Sequence, residues 1–146
     1  MAAASGHLKI VKFLVAQAPS HLEAIGANGC TSLLLASYSG HLDVVSYLLL
    51  EARADMEARA YDHNRSLHAA AIGGHLELVK FLVTKARADV DTPGNSDCTC
   101  LHLAAVQGHL AVVEFLCRET SANVLAKDNR DFSPFAVASW SHHKAF

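Results

Sequence analysis

Ser39-Gly-His-Leu-Asp-Val-Val-Ser-Tyr-Leu-Leu49 decides how this chain is read, because the same order of residues returns three more times. Ser5 to Val15, Gly73 to Val83 and Gln107 to Cys117 each carry Gly-His-Leu, a branched apolar pair, and then an aromatic followed by leucine. The glycines of the four copies, Gly6, Gly40, Gly74 and Gly108, stand 34 residues apart. A fixed step of that size marks a stacked array in which each unit is one small supersecondary element, and such arrays act through an extended surface.

Working outward from that stretch, each copy is preceded by a short segment and followed by a turn. Leu8, Ile10, Val11, Leu14 and Val15 recur at helical spacing, with Lys9 and Lys12 off that face, so Gly-His opens an amphipathic helix. Before it, Leu33, Leu67, Leu101 and Phe135 begin a first helix. The small pairs Ala36-Ser37, Ala70-Ala71, Ala104-Ala105 and Ala138-Ser139 let the two helices lie close. The glycine suits a left-handed C-cap between them. Thr31, Thr99 and Ser133 are N-cap candidates; Arg65 in the same column is not, and Ser66 or Asp62 is expected to stand in for it. Gly26-Ala-Asn-Gly29 predicts a tight turn with positive φ. About ten residues separate each second helix from the next cap, room for a hairpin-like loop and not for a third helix.

These columns together resemble the ankyrin repeat. They are Arg65-Ser-Leu-His68 and Thr99-Cys-Leu-His102, then Ala-Ala, Gly-His, Leu-x-x-Val-x-x-Leu-Leu and an Ala-Asp turn. The resemblance implies an all-α, ankyrin-type solenoid of helix-turn-helix units joined by hairpin-like loops. On this reading residues 1–146 form a single domain: a partial unit 1–30, units 31–64, 65–98 and 99–132, and a partial unit 133–146. Because the ends fall inside units, the chain is expected to be a fragment of a longer array, or to have its ends covered by an oligomer contact. This sequence departs from the family in two respects. The additional residue of the 34-residue step falls before the Ala-Asp turn, where Arg53 and Arg87 replace the usual glycine. Proline after the cap is present only at Pro134; Ser32, Ser66 and Cys100 take its place elsewhere.

Composition narrows the function classes. With 51% hydrophobic and 18% charged residues the chain is expected to fold, and a formal charge of −2 gives no basic footprint for nucleic acid. No apolar run approaches the roughly 18 residues a membrane span needs. A cytoplasmic protein is expected, with the nucleus as the other compartment. Six of the ten histidines belong to two repeated columns, His7/His41/His75/His109 and His68/His102. Residues one repeat apart are held a layer apart, so these imidazoles are read as backbone hydrogen-bonders rather than metal ligands. His142-His143 fall at the next Gly-His position and read as its degenerate copy. Cys30 and Cys98 share one slot, and Cys98-x-Cys100 has the wrong spacing for structural zinc; the four cysteines are read as reduced thiols. No catalytic set, metal, cofactor or small-molecule substrate is expected.

Function is therefore sought in the columns that vary. Two residues before each Gly of Gly-His stand Tyr38, Ile72, Val106 and Trp140, about 140° around the helical wheel from the Leu33 column. Apolar residues there suggest a contact stripe, or else side chains packed against a neighbouring loop. Tyr61, Asp62, Asn95, Asn129, Arg130 and Phe132 form its loop rim. The resemblance implies a concave surface that grips another protein, through a scaffold or adaptor; the alternative is a spacer segment with no partner of its own.

Overall fold

The computed structural model describes residues 1–144, with side chains described through Ser141. Within these residues the chain forms eight α-helices and no strand. They are α1 (Leu8–Gln17), α2 (Ser32–Ser39), α3 (Leu42–Leu50), α4 (Ser66–Gly73), α5 (Leu76–Thr84), α6 (Cys100–Gln107), α7 (Leu110–Glu119) and α8 (Pro134–Lys144). Helices α2, α4, α6 and α8 stack as one layer and α1, α3, α5 and α7 as a second, so successive helix pairs build a solenoid.

The repeated glycine makes each pair possible. Gly40, Gly74 and Gly108 adopt φ of +78°, +69° and +76°, and their amides close the first helix on carbonyls four and three residues back. Only glycine holds such a left-handed C-cap without strain. The neighbouring unit gives a second reason. A Cβ on Gly40 would sit 2.4 Å from the His75 ring, and one on Gly74 would sit 2.5 Å from that of His109. The histidine of each Gly-His reaches back one unit: Nε2 of His41, His75 and His109 lies 2.9, 2.9 and 2.8 Å from the carbonyls of Ala4, Tyr38 and Ile72. The Gly-His column is thus a joint between units.

Burial follows the repeated apolar columns. Leu48, Leu82 and Leu116 are fully buried, as are Val44, Val45, Val79 and Val112, while Leu33, Leu67 and Leu101 close the layer between first and second helices. Each fully buried aliphatic side chain contributes roughly 1.5–3 kcal/mol of transfer free energy. The last unit departs from expectation. Phe135, the counterpart of Leu33, is 81% exposed, and Val137 takes the buried place on α8. The reason is that no outer helix among the described residues covers α8.

Two further local expectations are revised, and one departure from the family is accommodated. Arg65 has no side-chain cap, and neither Ser66 nor Asp62 replaces it: Asp62 accepts from Asn64 of its own turn, and the Ser66 hydroxyl is buried without a partner. Instead Nδ1 of His68, three residues on, accepts the Arg65 amide at 3.2 Å, and His102 does the same for Thr99 at 3.2 Å. Thr31 and Ser133 do cap through their hydroxyls. Arg53 and Arg87 take the left-handed conformation of the glycine they replace, with φ of +62° and +63°. The additional residue is absorbed by a wider last turn, in which Ala52 and Ala86 bond five residues back to Tyr47 and Phe81. In the next unit the Thr120 hydroxyl closes α7 on Leu116 instead. Finally, α8 runs through position 142, because histidine there lacks glycine's access to the left-handed cap; the side chains of His142 and His143 lie outside the described residues.

Candidate functional site

The loops that follow each helix pair are bonded across themselves and to each other. Ala60 and Asp128 amides reach the carbonyls of Asn64 and Phe132, while Gly26 and Gly94 bond Cys30 and Cys98 in the same register. Asn28-Gly29 and Ser96-Asp97 take positive φ, as the Asn-Gly signal predicts for the first of them. Each loop is pinned to the next: the Tyr61 amide donates to Asn28, that of Asn129 to Ser96, and that of Asn95 to the Asn64 side chain. The Leu-His column holds the loops from below. Since Nδ1 accepts a backbone amide, Nε2 carries the proton and donates to Thr92 from His68, at 2.9 Å, and to Phe132 from His102, at 3.0 Å. Burial pushes the His68 imidazole below its usual pKa, which keeps this neutral form.

On this frame the stripe residues emerge unequally. Tyr38 and Ile72 are half-buried, whereas Val106 and Trp140 remain 40% and 44% exposed. Of the rim, Tyr61, Asp62, Asn95, Asn129 and Arg130 are exposed and Phe132 is half-buried. The stripe is also interrupted. One cleft, about 500 Å³, is lined by Cys30, Leu35, Tyr38, Tyr61 and Asp62 together with loop residues Ala27, Asn28 and Ala60. A second, about 220 Å³, is lined by Cys98, His102, Leu103, Val106, Arg130, Val137, Trp140 and Ser141.

The two clefts are the same cleft, built two units apart. Cys30, Leu35, Tyr38 and Asp62 correspond, 68 residues later, to Cys98, Leu103, Val106 and Arg130. In the intervening unit the equivalents are Asn64, Ala69, Ile72 and Ser96. There Asn64 and Ala69 are buried, and the Asn64 amide group bridges Asp62 and Asn95, so loop and helix close on one another. The cleft floors, Cys30, Leu35, Cys98 and Leu103, are not among the residues predicted for the site. The signal for them is the return of Cys and Leu in alternate units only.

The second cleft carries an ordered rim. The Arg130 guanidinium lies 5.3 Å from the Phe132 ring and 5.4 Å from that of Trp140, and the two rings meet edge to face at 5.8 Å. Beneath it, the buried Asp128 carboxylate accepts the amides of Arg130 and Phe132 at 2.9 Å and the guanidinium at 3.2 Å. Burial alone would raise the Asp128 pKa; the two amides and Arg130 outweigh it, and the carboxyl sits below its ordinary value. Trp140 thus packs against the loop of the preceding unit while keeping an open face on the cleft.

At the first cleft burial raises the Tyr38 phenol above its usual pKa; an Asn64 hydrogen bond opposes this and the Asp62 charge adds to it. The thiols have no activated member among those shifted. Burial raises Cys30, Cys98 and Cys100, the last to about 12 with its Sγ donating to Val90. Such thiols are poor nucleophiles. Among the described residues all four cysteines are free and no three His, Cys, Asp or Glu side chains gather as a metal set. No described helix is long and apolar enough to cross a membrane.

Comparison with known proteins agrees with the geometry. No curated protein matches the chain. A family profile described as ankyrin repeats (3 copies) matches residues 1–60 and 55–128. With that match over most of its length, and with Gly-His joints, Leu-His loop anchors and two stacked helical layers in place, the chain belongs to the ankyrin repeat family.

Proposed function

We propose that this chain is a non-catalytic interaction module, a scaffold or adaptor, that grips a partner protein with the concave side formed by the first helices and loop tips. Ankyrin repeats are in general protein-protein interaction modules, and the observation that carries the reading here is the pair of repeat-equivalent apolar clefts. Their walls are Tyr38 at one and Val106 and Trp140 at the other, with Ile72 in the unit between; Tyr61, Asp62, Asn95, Asn129, Arg130 and Phe132 supply the rim. Aromatic and arginine side chains of that kind dominate binding energy at interfaces. The compartment proposed is the cytoplasm, where four unpaired cysteines such as these stay reduced.

The test compares affinity capture by the native chain with capture by a Tyr38→Ala/Val106→Asp variant, both shown by circular dichroism to be folded. Loss of a defined set of captured proteins from the variant supports the reading. Equal recovery of every protein by both turns the segment into a spacer with no partner of its own.

A further inference from the structure

The two clefts share a column of loop-tip residues, and that column changes sign along the groove. Asp62 stands at the rim of the first cleft, Arg130 occupies the same repeat position at the second, and the uncharged Ser96 lies between. We propose that the groove takes an extended segment of a partner protein with a basic side chain toward Asp62, apolar side chains between, and an acidic side chain toward Arg130. This rests on the concave face being the binding face, and adds to it the partner's polarity and spacing.

Both rim charges have capacity left for a ligand. The Asp62 carboxylate is neutralised by no cation among the described ion pairs; its hydrogen bonds run to the amide and side-chain nitrogen of Asn64 and to the Tyr38 hydroxyl at the cleft wall. Arg130 gives Asp128 one hydrogen bond from Nη2, leaving other N–H groups of its fork available. Asp128 itself is enclosed, with its side chain fully buried and committed to two backbone amides, so the group offered to a ligand is the guanidinium, on a side chain 53% exposed. Held between Phe132 and Trp140, that guanidinium is already ordered, which lowers the entropy cost of engaging a carboxylate. The neighbouring Asp131 is exposed as well, and the Lys127 ammonium, bonded to its backbone carbonyl at 3.0 Å, offsets its charge.

Spacing follows from packing. Adjacent first helices set about 8–10 Å apart put two units at roughly 16–20 Å. An extended strand rising about 3.3 Å per residue covers that in roughly five to six residues. Between the charges the partner meets the half-buried Ile72 and the 40% exposed Val106, so apolar residues belong there.

A displayed library of random peptides about 12 residues long, enough to overrun the groove, tests this on the intact chain. The expected outcome is enrichment of sequences with Lys or Arg and Asp or Glu about five to six residues apart, in one chain direction, with apolar residues between. A fluorescein-labelled peptide of the enriched sequence should then bind roughly 2- to 5-fold more weakly to Asp62→Asn and to Arg130→Gln, a loss of rim-pair size that salt screens. The same peptide with its two charges exchanged should bind more weakly than the original. Peptides that bind, are lost in Tyr38→Ala/Val106→Asp, and carry no charge pair overturn the polarity while leaving the groove as the binding face. Peptides indifferent to the groove variant, or no enrichment at all, overturn both. Light scattering that shows a dimer sealed by Tyr38 and Val106 also overturns it, in favour of a second copy as occupant.

Discussion

The second helices of the interior and the one at the amino-terminal end carry the same residues with opposite results. Val44 and Leu48, Leu78 and Leu82, and Val112 and Leu116 are at most 1% exposed. Their counterparts on α1, Ile10 and Leu14, are 50% and 53% exposed, and Phe13 is 63% exposed where Phe115 is 6%. Helix α3 packs on the whole of α2 and has α1 and α5 on either side, whereas α1 has α3 on one side only and, in place of a first helix, the single turn closed by the Ser5 amide on the Met1 carbonyl. Burial in this molecule is therefore conferred by the adjoining helix and not by the residue. A repeat cannot enclose its own apolar stripe, and stability is shared across the joints.

The largest expected effect breaks the comparison directly. Leu82→Ala should cost about 2–5 kcal/mol and Leu14→Ala less than about 1 kcal/mol, because only the first leaves a cavity. Thermal and urea denaturation of the two variants decide it: equal losses would show that α1 is covered in solution as fully as α5. Next comes Gly74→Ala. A left-handed alanine costs about 1–2 kcal/mol, and its Cβ would displace the His109 ring besides, so the loss should exceed the conformational cost alone. A loss below about 1 kcal/mol would mean that the His109 bond to Ile72 contributes little to joining the units.

The loop anchor at His68 should also respond to pH. Burial holds the His68 pKa below its ordinary 6.5, so between the two values the unfolded chain binds more protons than the folded one. Stability from this site is full above about pH 6.5 and is lost progressively as pH falls below it. The melting midpoint should decline on acidification through that range, and less steeply in His68→Gln; identical slopes would place the pH sensitivity elsewhere. The smallest effect concerns the arginines at the helix ends. Arg87→Gly relieves a left-handed arginine at some cost in chain entropy, and should stabilise by about 0.5–1 kcal/mol. Ser121→Gly, in a unit closed by Thr120 instead, should not stabilise.

Much of this was legible without coordinates. The glycine column demanded a positive φ, the Leu and Val columns set two helical faces, and the Gly-His and Leu-His columns accounted for histidines that composition alone would have assigned to metal. The capping of α4 was not legible, since Arg65 cannot accept a bond, and what the structure supplies is the reciprocal half of a capping box, His68 taking the Arg65 amide from the far side of the turn. The candidate site was half legible. The stripe at Tyr38, Ile72, Val106 and Trp140 follows from the period, but its division into two clefts depends on Asn64 and Ala69 filling the middle unit. The state of Trp140 depends on Arg130 and Phe132, which meet it across a loop.

By itself the sequence determined the repeat, the helix pairs, the family and the positions left free to vary, because these rest on local backbone preference and on a pattern repeated at one fixed step. Only the tertiary structure decided which copies of a column are buried, where the groove opens, and which charges remain available at its rim. Those properties depend on side chains from different segments meeting in space, and identical residues in a repeated pattern meet different neighbours at the middle and at the ends of a stack.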